Sequence, residues 1–403
     1  MGEIINTEGT PEQQAEFERW FKENQKRIGE ITVPQVGEYP PNINNFYGSI
    51  INEWVTPDLI RHYVDAHGDR NPLYRSEEYA KRSVWGGLIA PPTFTDSLIQ
   101  GYPYKFEPDQ FAKFNNYMQV PNGTRRELYK PIRPGDKIHA VHRYLGLTEV
   151  DNPMYEKPIR VFDEAVERTL YNQREEIVAI ITTHNHAFLN YAITPDNPIW
   201  GVQKKNRITD EERDEITAGY DNETRRGSTP FYFEDVKEGE KISLHPIGPY
   251  TPYDVVAFYT AMSGHAVAFE CEWERVRIYP EFGWIDPETN GWTCNGVCHI
   301  CDNKGHAPIF TGGLGLGFYN QVEGLLGRML TNWGGDSCFV TLLDTRSPVY
   351  PFHGAVLNCK GVVTKLEKKT DYGLVDLDVW CEDSKGVKLT IGTAQVKLPT
   401  KIR

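Results

Sequence analysis

The sequence predicts an α+β fold with antiparallel sheets, built once and then repeated. Three observations carry that prediction. The chain has 403 residues, which suits two or three domains of ~150 residues each. Strand-like runs with period-two alternation follow helix-like runs instead of alternating with them, which favours α+β over a parallel α/β sheet. Two distant passages also share one pattern: Thr56-Pro57 opens PDLIRHYVDAHGD, and Thr251-Pro252 opens PYDVVAFYTAMSGH. Each places a capping Thr before Pro at the first helical position, with Asp58 or Asp254 in the first turn.

Along the chain, PEQQAEFERWFKENQKRI (11–28) reads as a charged helix with an apolar stripe of Phe17, Trp20 and Phe21. VPQVGEYPPN then breaks it. After the first Thr-Pro helix come a Gly/Pro-rich turn and GGLIAPPTFTDSLI, then the strands RRELYKPIRPGDKIHAVHRYLGL and EIVAIITTHNHAFLNYA. The polar stretch at 204–230 (KKNRITDEERDEITAGYDNETRRGSTP) reads as a linker with a short helix. Beyond the second Thr-Pro helix, HAPIFTGGLGLGFYNQVEGLLGRML predicts an apolar helix. Strands follow in FVTLLDTRSPVYP, GAVLNCKGVVTKLEK, GLVDLDVWCED and KLTIGTAQVKLP. The expected organisation is a helical extension (1–45), a first domain (46–203), a linker (204–230) and a second domain (231–403).

Composition narrows the function classes. Hydrophobic residues at 39% and charged residues at 25% are globular values. A net charge of −13 argues against nucleic acid as a partner. No apolar run reaches the ~18 residues of a membrane span, and the N-terminal stretch is polar and acidic, so the sequence predicts neither a membrane helix nor a signal peptide. The expected location is the cytoplasm, with seven cysteines reduced by default.

The passage GDRNPLYRSEEYAKRSVWGGLIAPPTF (68–94) resembles the hydratase motif of MaoC-like acyl-CoA dehydratases, the (R)-specific enoyl-CoA hydratase family, in its two-hotdog form. FEDVKEGEKI, Ser263-Gly264, LLGRMLTNWGGD, SPVYPFHG and GTAQVKLP resemble that family's catalytic hotdog, so the likeness covers roughly 46–200 and 231–403 in segments. It implies a double hotdog, two long central helices each wrapped by a curled antiparallel sheet, paired to form one active site. The implied reaction is reversible addition of water to a 2-enoyl thioester of coenzyme A, with no required cofactor and a homodimer as assembly. An Asp and a His, five positions apart in a Gly-Asp-x-Asn-Pro-x-His pattern, exchange protons with water and the α-carbon. A Gly N–H at the start of the central helix binds the thioester oxygen.

On the first half this pattern falls on Asp69, Asn71, Pro72 and Tyr74, with Tyr74 in place of the His. A phenol with a reference pKa of ~10 is a weak proton exchanger near neutrality, so this half is expected to hold the acyl chain through Asp69, Asn71 and Tyr74 and not to catalyse. In the second half the same slots carry His265 and Glu270, an imidazole–carboxylate pair with its members exchanged. Either the pair works with reversed roles or it is a buried structural couple in a dead site. Gly312-Gly313 stands at the oxyanion position and is expected to open a helix.

Two features lie outside that pattern. Cys294, Cys298 and Cys301 crowd an apparent insertion (271–307), with His306 or Cys271 as a fourth candidate ligand for zinc; ordinary thiols are the alternative. No alternating β/α pattern surrounds them to support a radical cluster, and no C-x-x-C-H supports haem. The basic run holding Arg125, Arg126 and Arg133 is a candidate for the coenzyme A phosphates, or else a solvated strand face. Aromatics at 12% favour a bulky or cyclic acyl group. Two other functions remain open: an inactive hotdog that binds acyl-CoA or stabilises a partner hydratase, and a thioester hydrolase.

Overall fold

The computed structural model describes residues 10–33, 52–98, 117–150, 160–189, 193–262, 273, 283–294 and 307–401. Helix α1 (Pro11–Gln25) starts at a capping box in which Thr10 and Gln13 satisfy each other's backbone N–H groups. Its apolar stripe buries Phe17 against Phe162, ring centroids 5.1 Å apart. After the short strand β1 (Ile31–Thr32), helix α2 (Pro57–Asp65) begins where Thr56 Oγ1 accepts the Leu59 N–H. Helix α3 (Glu77–Arg82) and a 3-10 turn (Phe94–Ser97) follow. Strands β2 (Tyr117–Leu128), β3 (His139–Val150), β4 (Val161–Tyr171) and β5 (Ile177–Leu189) complete the first half.

The 204–230 stretch contains α4 (Asp210–Asp221), capped by Thr209 and Glu212, and it is docked. Glu223 is buried among arginines, and Arg226 Nε donates to the Trp333 carbonyl at 2.6 Å. Glu223 pairs with the distant Arg328, a contact that a linear reading of polarity cannot anticipate.

The second half repeats the plan with β6 (Lys241–Ser243), α5 (Pro252–Met262), a hairpin of β7 (Gly283–Ile285) and β8 (Trp292–Cys294), and α6 (Ala307–Thr311). The central helix α7 (Tyr319–Gly334) then leads into β9 (Phe339–Arg346), β10 (Asn358–Lys368), β11 (Tyr372–Glu382) and β12 (Lys388–Pro399). Val322, Leu325, Leu326, Met329 and Leu330 of α7 pack into the concave face of β9–β12. Fully burying such a side chain contributes roughly 1.5–3 kcal/mol, so this helix is the anchor of its half.

The sheet has ten strands in the order β1-β3-β4-β5-β2-β9-β12-β11-β10-β6, which reads the same from either edge when the halves are exchanged. The halves meet where β2 pairs antiparallel with β9 and where α2 packs on α5. One fold is therefore used twice about an internal two-fold relation, as a double hotdog. The second half is wrapped around a long central helix. In the first half the corresponding segment is described only as far as the 3-10 turn at Phe94–Ser97. Among the described residues, no helix is long and apolar enough to cross a membrane.

Candidate functional site

The loop after α2 is shaped by its own side chains. Asp69 Oδ1 accepts the Asn71 N–H at 2.9 Å, and Asn71 Oδ1 accepts the Leu73 N–H at 3.0 Å. Pro72 then begins a 3-10 turn that carries Tyr74 inward. Two nested Asx turns explain locally why Asp, Asn and Pro stand in this order.

The other half clamps this loop. Gln321 Nε2 donates to the Ala66 carbonyl at 2.9 Å and Arg328 Nη1 to the His67 carbonyl at 2.8 Å. Arg328 is held in turn by Glu223, at 2.6 Å, and Glu223 also accepts from Asn332 and pairs with Arg225. Asp69 is buried, and burial pushes its carboxyl above the usual range, while the Asn71 amide and nearby Arg328 and Arg225 pull the other way. Tyr74 is buried as well. Its phenol is driven well above its ordinary pKa by burial and by the charge of Asp69, so it stays protonated.

A narrow cleft lies between this loop and the end of α7, with about 40 Å³ of internal room before it opens to solvent. Tyr74, Ile89, Leu128 and Ile132 come from the first half, and Thr331 and Phe339 from the second. Its walls are mostly apolar. Beside it, the Asp336 carboxylate accepts from Tyr79 Oη at 2.6 Å, and burial raises its pKa.

Deeper in the seam, Arg126 of β2 is fully buried. Its Nη2 lies 2.7 Å from Asp96 Oδ1 and its Nη1 2.7 Å from Glu323 Oε2 of α7, and Thr345 Oγ1 donates to Glu323. Two carboxylates share one guanidinium here. Burial raises the Glu323 carboxyl to about 7, opposed by Arg126 and reinforced by Asp96.

These positions correct three expectations. Arg126 is sealed inside the seam and unavailable to a phosphate. Neighbours on a strand point to opposite faces, so Arg125 stands on the other side, paired with Glu127 at 2.9 Å and Asp344 at 3.0 Å. Arg133 donates to the Trp85 carbonyl at 2.9 Å; the basic run therefore forms no common face. Gly312 and Gly313 close α6 instead of opening a helix, with φ of +77° and +116°. Their N–H groups donate to the Pro308 and Ala307 carbonyls at 3.0 and 3.3 Å, so neither is free for an oxyanion.

His265 and Glu270 lie outside the described residues, as do Cys271, Cys298, Cys301 and His306; Cys294 ends β8. Among the described residues, no group of three or more His, Cys, Asp or Glu side chains is placed to hold a metal. The Arg126 triad and the docked Glu223 were missed by sequence reasoning, because no local spacing links Arg126 to Glu323.

Comparisons with known proteins agree with this architecture. Residues 47–180 match the model of the FAS1-like dehydratase domain region. A UPF0336 protein of Parafrankia sp. (strain EAN1pec) is 33% identical over 120 residues, 28% of this chain and 79% of that protein. One from Thermobifida fusca is 35% identical over 86 residues, 21% of this chain and 55% of that protein. Among solved structures, a MaoC-like dehydratase superposes with a TM-score of 0.57 at 16% identity, covering 94% of this chain and 99% of that one. A conserved hypothetical protein of Mycobacterium tuberculosis, described as having a double hotdog fold, gives 0.50 at 11% identity over 92% and 96%.

Proposed function

The chain belongs to the UPF0336 protein family and is built as a double hotdog, and on that premise we propose that it is a cytoplasmic hydratase or dehydratase acting on 2-enoyl thioesters of coenzyme A. The observation that carries this reading is the apolar cleft between the first half's Asp69–Tyr74 loop and the second half's central helix. A site shared by two hotdogs within one chain suits an extended acyl thioester. The first half binds and does not catalyse. Tyr74 is buried and stays protonated, so Asp69 lacks a proton-exchanging partner at the five-position spacing in this half. Proton transfer is assigned to His265 and Glu270 of the second half, where imidazole and carboxylate keep the five-position spacing that the chemistry needs. Zinc held by Cys294, Cys298, Cys301 and His306 would staple the insertion.

The test is hydration by the purified full chain of crotonyl-CoA and of longer and cyclic enoyl-CoA esters, followed as loss of enoyl absorbance, with free thiol measured in parallel. Hydration without thiol release supports the reading. Thiol release alone makes the chain a hydrolase, and binding with neither reaction makes it an acyl-CoA binding protein.

A further inference from the structure

The two halves differ where their two-fold relation allows a position-by-position comparison. Arg126 and Leu343 face each other across the β2–β9 seam, so the relation exchanges them. Following the registers outward, the row Arg126, Ile181, Arg168, His142 in the first half corresponds to Leu343, Ala394, Leu377, Val363 in the second. The second row is wholly apolar, each side chain at most 1% exposed, and it packs on α7. The first row lies on the same concave face and is polar at every position but Ile181.

His142 is the telling member. It is 1% exposed, and neither ring nitrogen has a hydrogen-bond partner among the described residues. Burial, and then the charge of Arg168, drive its pKa down to about 2, so the ring is neutral and offers one donor and one acceptor. Around it, Arg168 Nη1 donates to Thr183 Oγ1 at 3.0 Å and Tyr144 Oη to Glu164 at 3.3 Å. Apolar residues flank this band on both sides: Ala140, Leu170 and Ala179 towards the cleft, and Leu147, Phe162 and Ala187 under α1. A buried imidazole with open nitrogens is costly, and Val363 shows that the fold accepts an apolar residue at this place. Leu128, which lines the cleft, is the next inward-facing residue of β2 beyond Arg126, so the band begins one rung past the cleft.

We propose that this band is an acyl-specificity chamber, in which His142 hydrogen-bonds an uncharged oxygen substituent, hydroxyl or keto, on the acyl chain. The inference rests on the acyl-thioester reading above. The ring is held neutral and the neighbouring Arg168 already donates to Thr183 Oγ1, so the place is matched to an uncharged oxygen. A neutral imidazole matches a hydroxyl through both its donor and its acceptor, and a keto group through its donor.

The experiment is equilibrium binding of the full chain to saturated acyl-CoA esters, which cannot be hydrated. Plain chains are compared with equal-length chains whose hydroxyl or keto group is moved stepwise from mid-chain to the end. The expected result is at least about tenfold tighter binding for one position of the oxygen. His142→Val, which restores the residue type of the second half, should shrink that preference below about twofold without lowering the melting midpoint. His142→Leu, closer in volume to imidazole, is the parallel variant. Equal binding of plain and oxygenated chains by the unaltered protein, or a preference unchanged in both variants, overturns the inference and leaves the acyl-thioester reading intact. Failure to bind any acyl-CoA overturns both.

Discussion

Arg126 of the first half and Glu323 of the second form a fully buried ion pair at 2.7 Å across the seam between the two hotdogs. Asp96 completes the group from the first half, at 2.7 Å from the same guanidinium. The three side chains join the loop before the cleft, the strand at the seam and the central helix into one unit.

Removing the shared cation should therefore be costly. Arg126→Ala leaves two buried carboxylates without a counter-charge and is expected to cost about 3–5 kcal/mol of stability, read from urea unfolding. A loss below about 1 kcal/mol would show that the triad does not hold the halves together.

The same group gives the protein a pH signature. The Glu323 carboxyl, ordinarily 4.5, is raised to about 7 in the fold by burial. An acid whose folded value is raised contributes its stability in full below the unfolded value and loses it as pH rises through the folded one. Stability attributable to Glu323 should accordingly fall between about 4.5 and about 7 and then level off. The difference between the unaltered protein and Glu323→Gln, measured across that window, isolates this contribution; a flat difference contradicts it.

The clamp on the Asp69–Tyr74 loop depends on a helical glycine. A Cβ at Gly324 would stand 2.1 Å from His67 Nε2, whose ring is boxed in by Tyr63 and Phe258. Gly324→Ala is expected to destabilise by about 1–3 kcal/mol despite alanine's better helix propensity. His67→Ala in the same chain should recover most of that loss in a double-mutant cycle, and additive losses would show the contact to be unimportant.

Tyr74→Phe separates binding from chemistry. Because its phenol stays protonated, the variant should keep kcat within about threefold and lose about 1 kcal/mol of stability with the Thr331 contact. A drop in kcat of a hundredfold or more would make the first half catalytic.

What was readable in the sequence was local. Thr56-Pro57 and Thr251-Pro252 announce their helices because capping chemistry is confined to four residues, and both helices form where expected. Most of the long strands were legible for the same reason, but β4 (Val161–Tyr171) was not read as one, and the apolar helix expected over 306–330 begins only at Tyr319. The site was only partly so. Arg125 and Arg126 look like one basic patch in a line of text, yet strand geometry sends them to opposite faces. Gly312-Gly313 carries the composition of a helix start but serves as a helix end, because Gly fits either role. The polar row of His142 and Arg168 emerges only when β3 and β4 are set side by side.

Zinc is decided by elemental analysis of the purified chain: about one equivalent is expected, falling in Cys298→Ser, and a small fraction of an equivalent rules out a bound zinc.

Catalysis by the second half is tested most directly by steady-state hydration of enoyl-CoA esters by the full chain beside His265→Ala. The unaltered protein should turn over enoyl-CoA, with a kcat lower by about 10²–10⁴ in the variant and unfolding unchanged. Full activity in His265→Ala, or no hydration of any enoyl-CoA by the unaltered chain, would contradict it.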